Sequence, residues 1–241
     1  MKSLAVLTFI TGVIFIMNTA YSHRYINVEL SGAYQLNKDL REEVVIFADG
    51  YFTHTVFNKK DKKFISTRGG VYTIDDEDLI VQYEFNTMDT DQVGREIKYT
   101  IEVEEKEIEF DLNGEKQEWA RIDDGDKGLA GLWEITARRQ EGKLVPIHQR
   151  GTRKTIKILS STRFQWAAID PGTRQFMGTG GGTYQFENGK YTENIEFFSR
   201  DSTRVAQSLN FDGRLENGEW HHSGVSSKGD PIYEVWSRKK Q

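Results

Sequence analysis

Phe176-Met177-Gly178-Thr179-Gly180-Gly181-Gly182-Thr183-Tyr184 decides the fold. A run of glycines invites a phosphate-loop reading, but such a loop must feed a helix N-terminus. Here Thr183-Tyr184-Gln185-Phe186 continues as strand, so the glycines predict a bulge or sharp strand bend. The stretch also has an echo: Phe64-Ile65-Ser66-Thr67-Arg68-Gly69-Gly70-Val71-Tyr72. Two further landmarks repeat in the same order. Leu30-Ser31-Gly32-Ala33-Tyr34 returns as Leu129-Ala130-Gly131-Leu132-Trp133, and Trp119-Ala120-Arg121 returns as Trp236-Ser237-Arg238. The chain is therefore read as one unit written twice. Asp123-Asp124-Gly125-Asp126-Lys127-Gly128 is the polar junction.

Each copy reads as strands. Ile108, Phe110 and Leu112 alternate with acidic residues, and Phe164, Trp166 and Ala168 alternate with Arg163, Gln165 and Ala167. Turn signals punctuate them: Asp49-Gly50, Asn113-Gly114, Pro171-Gly172, Asn188-Gly189, Asp212-Gly213, Asn217-Gly218 and Gly229-Asp230-Pro231. Many short strands with one apolar face predict an all-β fold of two tandem, small antiparallel β-barrels, closed so that no edge is left exposed.

The Gly-x-Trp opening and the late Arg carry a resemblance. Gly131 and Trp133 on a first strand with Arg238 on the last resemble the signature of the lipocalin (calycin) family. The first half carries the divergent pair Tyr34 and Arg121 after Gly32. The resemblance implies that these are barrel-plug residues, with the Arg stacked across the ring. The second half is also similar to secreted lipocalin-like proteins of Bacteroidota, through Gly182-Thr183-Tyr184, Tyr191-Thr192-Glu193-Asn194-Ile195-Glu196-Phe197 and Tyr233-Glu234-Val235-Trp236-Ser237-Arg238. That likeness implies a fold and leaves the activity open.

Residues 1–22 predict a secretory signal peptide: Lys2, a largely apolar run from Leu4 to Met17, and small residues Ala20 and Ser22 before a cut after Ser22. A spanning helix needs about 20 apolar residues, so no integral membrane span is expected after cleavage. Residues 23–124 would then be the first barrel and 125–241 the second, in a secreted or periplasmic protein. The absence of cysteine excludes disulfides, thiol nucleophiles, Cys-ligated zinc and lipid attachment through Cys.

The formal charge of −5 conceals a division. Residues 23–126 hold 25 acidic and 13 basic side chains, and residues 127–241 hold 12 and 18. Opposite fields on one tether predict that the halves dock on each other. A basic cluster of Arg138, Arg139, Lys143, Arg150, Arg153, Lys154 and Lys157 could meet the acidic half, an anionic glycan or lipid headgroups. It lacks interleaved aromatics, so nucleic acid is not an expected partner.

No catalytic motif stands out. His221 and His222, adjacent on a strand, face opposite ways and cannot easily share an ion. The runs Asp75-Asp76-Glu77-Asp78 and Asp123-Asp124-Gly125-Asp126 do not follow a calcium-loop pattern. Glu193 and Glu196 differ in parity. No metal or cofactor is expected. The second copy inserts Arg138–Lys154 after its first strand, and Arg139, Pro146, His148 and Arg153 mark a lid or partner loop there. A small apolar or amphipathic ligand would sit in the second barrel against Phe164, Trp166, Tyr184, Glu193, Trp220 and His222. The same aromatics at strand period also suit a filled core. The expected function is ligand binding without catalysis. The alternative is an envelope interaction protein with filled barrels, and a hydrolase or isomerase on the barrel is the weakest reading.

Overall fold

The computed structural model describes residues 30–38, 40–112, 114–147 and 151–239. The expected signal peptide, its cut after Ser22 and His148 lie outside the described residues. The rest is all-β. The first half is a meander of β1 (Gly32–Lys38), β2 (Arg41–Ala48), β3 (Tyr51–Asn58), β4 (Lys63–Asp75), β5 (Asp78–Asn86), β6 (Glu96–Val103), β7 (Glu107–Asp111) and β8 (Lys116–Asp123). Antiparallel pairing of β1 with β8 closes it. The second half contains β9 (Gly131–Gln140), β10 (Lys143–Pro146), β11 (Lys154–Leu159), β12 (Arg163–Asp170), β13 (Gln175–Glu187), β14 (Lys190–Phe198), β15 (Ser208–Glu216), β16 (Glu219–Val225) and β17 (Pro231–Lys239). There β9 pairs with β17, and eight strands close again, with β10 outside the ring. Eight strands give an interior just wide enough for side chains or one small ligand.

Local chemistry sets the corners. Asp49-Gly50, Asn188-Gly189 and Asn217-Gly218 all have positive φ at both residues, the two-residue hairpin turn that Asn-Gly and Asp-Gly favour. Asp212-Gly213 departs from the expected turn and lies inside β15. A Cβ at Gly213 would lie 3.0 Å from Phe186 and 3.3 Å from the Trp220 indole nitrogen. This glycine therefore serves close packing under an aromatic layer. The glycines of the repeated stretch do sit at bulges. Gly69 and Gly70 face Phe85 and Tyr83, leaving Glu84 over, and Gly181 and Gly182 face Phe197 and Ile195, leaving Glu196 over. A Cβ at Gly70 or Gly182 would collide with the carbonyl oxygen of Gln82 or Asn194.

The extra residue reverses the alternation. Ile195 points into the second barrel, and Phe197, two residues on, joins the layer between the barrels. That layer gathers Val44, Ile46, Ala48 and Phe57 of the first half with Ile156, Ile158, Ala167 and Phe197 of the second. The Phe57 and Phe197 rings are 4.9 Å apart. Polar groups cross it as well. Thr55 donates to Gln165 Oε1 at 2.9 Å, Lys154 meets Glu84 at 2.7 Å, Lys59 meets Glu196 at 2.5 Å, and Arg163 also bonds Glu196. Both outer faces of β2 and β3 are covered, which explains the unbroken apolar run Val44-Val45-Ile46-Phe47-Ala48.

The residues that the resemblance implies as barrel plugs occupy matching places. Tyr34 OH donates to Leu30 O at 3.2 Å, and Trp133 Nε1 donates to Leu129 O at 2.8 Å, each four residues back. Arg121 lies 4.9 Å from the Tyr34 ring centre and Arg238 lies 6.0 Å from that of Trp133. Arg238 also forks onto Asp49 at 2.8 and 3.0 Å, tying the last strand of the second barrel to a turn of the first.

Candidate functional site

The two barrels differ inside, and strand register lets them be compared position by position. Phe52 faces Gly70 as Phe164 faces Gly182, so His54 corresponds to Trp166 and Arg68 to Gly180. In the first barrel, Arg68 crosses the lumen from β4. Its Nη2 donates to Leu112 O at 2.8 Å and its Nε to His54 Nδ1 at 3.2 Å. With Nδ1 accepting, the His54 Nε2–H donates to Glu43 at 3.0 Å. Burial, reinforced by the Arg68 charge, pulls the His54 pKa down to about 4 against the Glu43 hydrogen bond, so this ring is neutral. A depression of about 600 Å³ overlies this end, and its buried lining is Arg68 and Leu112. Below it, Tyr34, Phe47, Phe52, Tyr72, Phe110 and Trp119 fill the core.

In the second barrel, Gly180 sends nothing across. Its Cβ position would lie 2.8 Å from Trp166 and Phe198, whose rings cover it as wall. A cavity of about 660 Å³ enters from this end, within the roughly 300–1,000 Å³ of small-molecule sites. Ile135, Trp166, Phe198, Leu209 and Ile232 form its apolar sides, and it reaches the buried residues Lys157, Glu193, Ile195, Phe211, His222 and Trp236.

The deep polar groups replace apolar ones of the first barrel. Lys157 stands where Val45 does, Glu193 where Val81 does, and His222 where Phe110 does. Lys157 Nζ meets Glu193 Oε1 at 2.7 Å, and Tyr191 OH donates to the same oxygen at 2.9 Å. Four rings surround the ammonium, with centres 5.1 Å away for Trp220 and Trp236, 5.3 Å for Tyr191 and 5.7 Å for Phe164. Burial, with the adjacent Glu193 charge, pushes the Tyr191 phenol far up, so it remains a donor.

His222 packs against Phe211, ring centres 4.1 Å apart, and Nδ1 lies 3.4 Å from Glu234 Oε2. Burial lowers the His222 pKa, and the Lys157 charge adds to that; the Glu234 contact opposes both. For Glu234, burial works upward, but the hydrogen bond and charge of His222 with the charge of Lys157 outweigh it, and the carboxyl ends lower than usual. Glu234 also accepts from Trp236 Nε1 at 3.1 Å. His222 Nε2 is buried and has no hydrogen-bond partner among the described residues.

Of the predicted pocket residues, Trp166, Glu193 and His222 border the cavity. Phe164, Tyr184 and Trp220 pack beneath it, Phe164 and Trp220 as walls of the Lys157 cage. Lys157 does not belong to the exposed basic cluster. Its side chain is 5% exposed, inside the barrel. The run Ile156-Lys157-Ile158-Leu159, a lone charge amid apolar residues, is the signal that could have placed it there. The expected loop after the first strand is partly a hairpin: β10 folds back on β9 through Glu141-Gly142, both at positive φ. Pro146 faces Ala137 at the end of this ladder, Arg139 stacks on the Tyr233 ring at 4.2 Å, and Arg153 lines the cavity mouth with Arg138. His221 faces away from His222 and bonds Tyr233 at 2.9 Å. Glu193 and Glu196 point to opposite sides, one into the barrel and one into the inter-barrel layer.

Among the described residues, no group of three or more His, Asp or Glu is placed to hold a metal ion, and no helix is long and apolar enough to cross a membrane. No family model and no curated protein matches the chain.

Proposed function

We propose that this is an exported lipocalin-like protein whose second barrel binds one small amphipathic molecule without catalysis. The supporting observation is the contrast at one level of the two barrels. Arg68, His54 and Glu43 bar the first, whereas Gly180, Trp166 and Thr155 line or flank an open cavity in the second. Apolar walls with a few converging polar groups are what such a site requires. The matching ring–arginine plugs support the lipocalin-like reading. Titration with an apolar fluorescent dye such as 1-anilinonaphthalene-8-sulfonate tests it, with native mass spectrometry for stoichiometry. One dye per chain is expected. Leu209→Trp, which puts an indole into the cavity, is expected to weaken uptake about tenfold. A folded chain that takes up no dye or lipid-like molecule would sink the proposal.

A second reading rests on the first barrel. Its lumen is filled, and Glu102, Glu109 and Glu118 stand side by side across β6, β7 and β8. This half would serve as the docking surface of an envelope protein, with the ligand site confined to its neighbour. Capture of a basic partner that fades with salt would support it.

A further inference from the structure

We infer that the ligand of the second barrel enters with a neutral hydroxyl inward, donated to His222 Nε2, and its anionic group outward, between Arg138 and Arg153. This rests on the binding reading above and adds polarity and chemical class. The ligand is an elongated apolar body with a hydroxyl at one end and a carboxylate, sulfate or phosphate at the other.

The inner end follows from which polar atoms already have partners. Lys157 holds Glu193, and Tyr191 donates to the same carboxylate. Glu234 receives Trp236 Nε1 and faces His222 Nδ1. An ionised carboxylate only accepts, so the neutral imidazole places its proton on Nδ1 and leaves Nε2 as a bare acceptor. That atom is buried, without a partner among the described residues, on a ring bordering the cavity. A buried acceptor without a donor is a standing cost that a ligand donor removes. A carboxylate at this depth would face Glu193 and Glu234. An ammonium would face Lys157, whose charge already bears on the His222 ring. A hydroxyl meets neither objection.

The outer end follows from the rim. Lys154 is engaged with Glu84 across the barrel interface. Arg138 and Arg153 are exposed at the mouth, and neither has a carboxylate partner among the described residues. Two guanidiniums over an apolar shaft match an anionic head that stays partly in water.

Isothermal titration of the whole chain with four probes tests this: dodecanoate, 12-hydroxydodecanoate, 12-methoxydodecanoate and dodecanol. The hydroxy acid is expected to bind about tenfold tighter than dodecanoate, from satisfaction of one buried acceptor. The methoxy acid, which cannot donate, should show no gain. Dodecanol should bind more weakly than the hydroxy acid, by a factor that shrinks with salt. His222→Phe, which installs the first barrel's residue, should remove the hydroxyl preference while dodecanoate still binds. Arg138→Gln with Arg153→Gln should weaken all three acids alike and leave dodecanol unchanged. Equal binding of the three acids, with His222→Phe neutral, would overturn the inward hydroxyl and leave the cavity reading standing. Binding of dodecanol as tight as the hydroxy acid would overturn the outward anion. If no probe binds the folded chain, both readings fall together.

Discussion

The first barrel closes its lumen with a polar bar and the second keeps its lumen open around buried charge. Both follow one repeated plan, with the same strand order, glycine bulges and ring–arginine contact. The difference lies in a few inward positions. Arg68, Val45, Val81 and Phe110 of the first barrel become Gly180, Lys157, Glu193 and His222 of the second. An eight-stranded barrel tolerates this because backbone closure satisfies the strand hydrogen bonds whatever the interior holds. The lumen is then free to diverge. Its polar contents need partners, and each barrel supplies them differently, the second leaving His222 Nε2 without one among the described residues.

The sharpest way to break the comparison is to move the first barrel's residues into the second. Lys157→Val leaves Glu193 buried without its cation, at an expected cost of about 3–5 kcal/mol. Glu193→Val does the converse. The double variant restores the Val45–Val81 arrangement and should recover most of that loss in urea unfolding. If single and double variants are equally destabilised, the pair is not what the second barrel is built around.

Acid separates the barrels next. The His54 pKa is lowered to about 4 from an ordinary 6.5. The unfolded chain therefore takes up this proton first as pH falls. The stability gained is complete above the ordinary value and disappears between about pH 6.5 and pH 4, an effect of about 3 kcal/mol for a fully buried group. His222 titrates in the same sense in the second barrel. Denaturant midpoints from pH 7 to pH 4 should fall, and Glu43→Leu with His54→Phe should flatten the first barrel's share. An unchanged slope in that variant would remove the bar from the account.

Arg68→Gly carries the second barrel's residue into the first. It removes donors from His54 and Leu112 O, costs about 2 kcal/mol and should open a new dye site. Destabilisation without dye uptake would mean that the remaining aromatics collapse into the space. The smallest effect is expected at the contact between the barrels. Asp49→Asn loses the fork to Arg238, which is 42% exposed, and should cost about 1 kcal/mol, less in high salt. Thermal melts with and without salt read this directly.

Much of the fold was legible because strand periodicity, Asn-Gly and Asp-Gly turns and the paired landmarks are local signals. Tyr34, Arg121, Trp133 and Arg238 could be named through the family resemblance, which rests on the Gly-x-Trp opening and the late Arg. Of the candidate site, Trp166 was legible from the apolar parity of its strand, and Glu193 and His222 as polar residues on neighbouring strands. Lys157 was not, because a lysine among exposed arginines reads as surface until its strand is seen to have two covered faces. Asp212-Gly213 misled because a glycine packed beneath rings has the same spelling as a turn.

The amino-acid order alone determined an all-β chain of short strands, duplicated, and its resemblance to a known family pointed to a ring–arginine pair at matching ends; closure at eight strands came with the tertiary structure. Tertiary structure decided which lumen is open. That depends on where side chains from distant strands meet, as Arg68 does with His54 and Leu112, and Lys157 with Glu193. It also depends on the single extra residues at Glu84 and Glu196, which turn Phe85 and Phe197 outward into the layer between the barrels. Volume and charge pairing across a barrel are sums over strands far apart in sequence, and no local pattern encodes them.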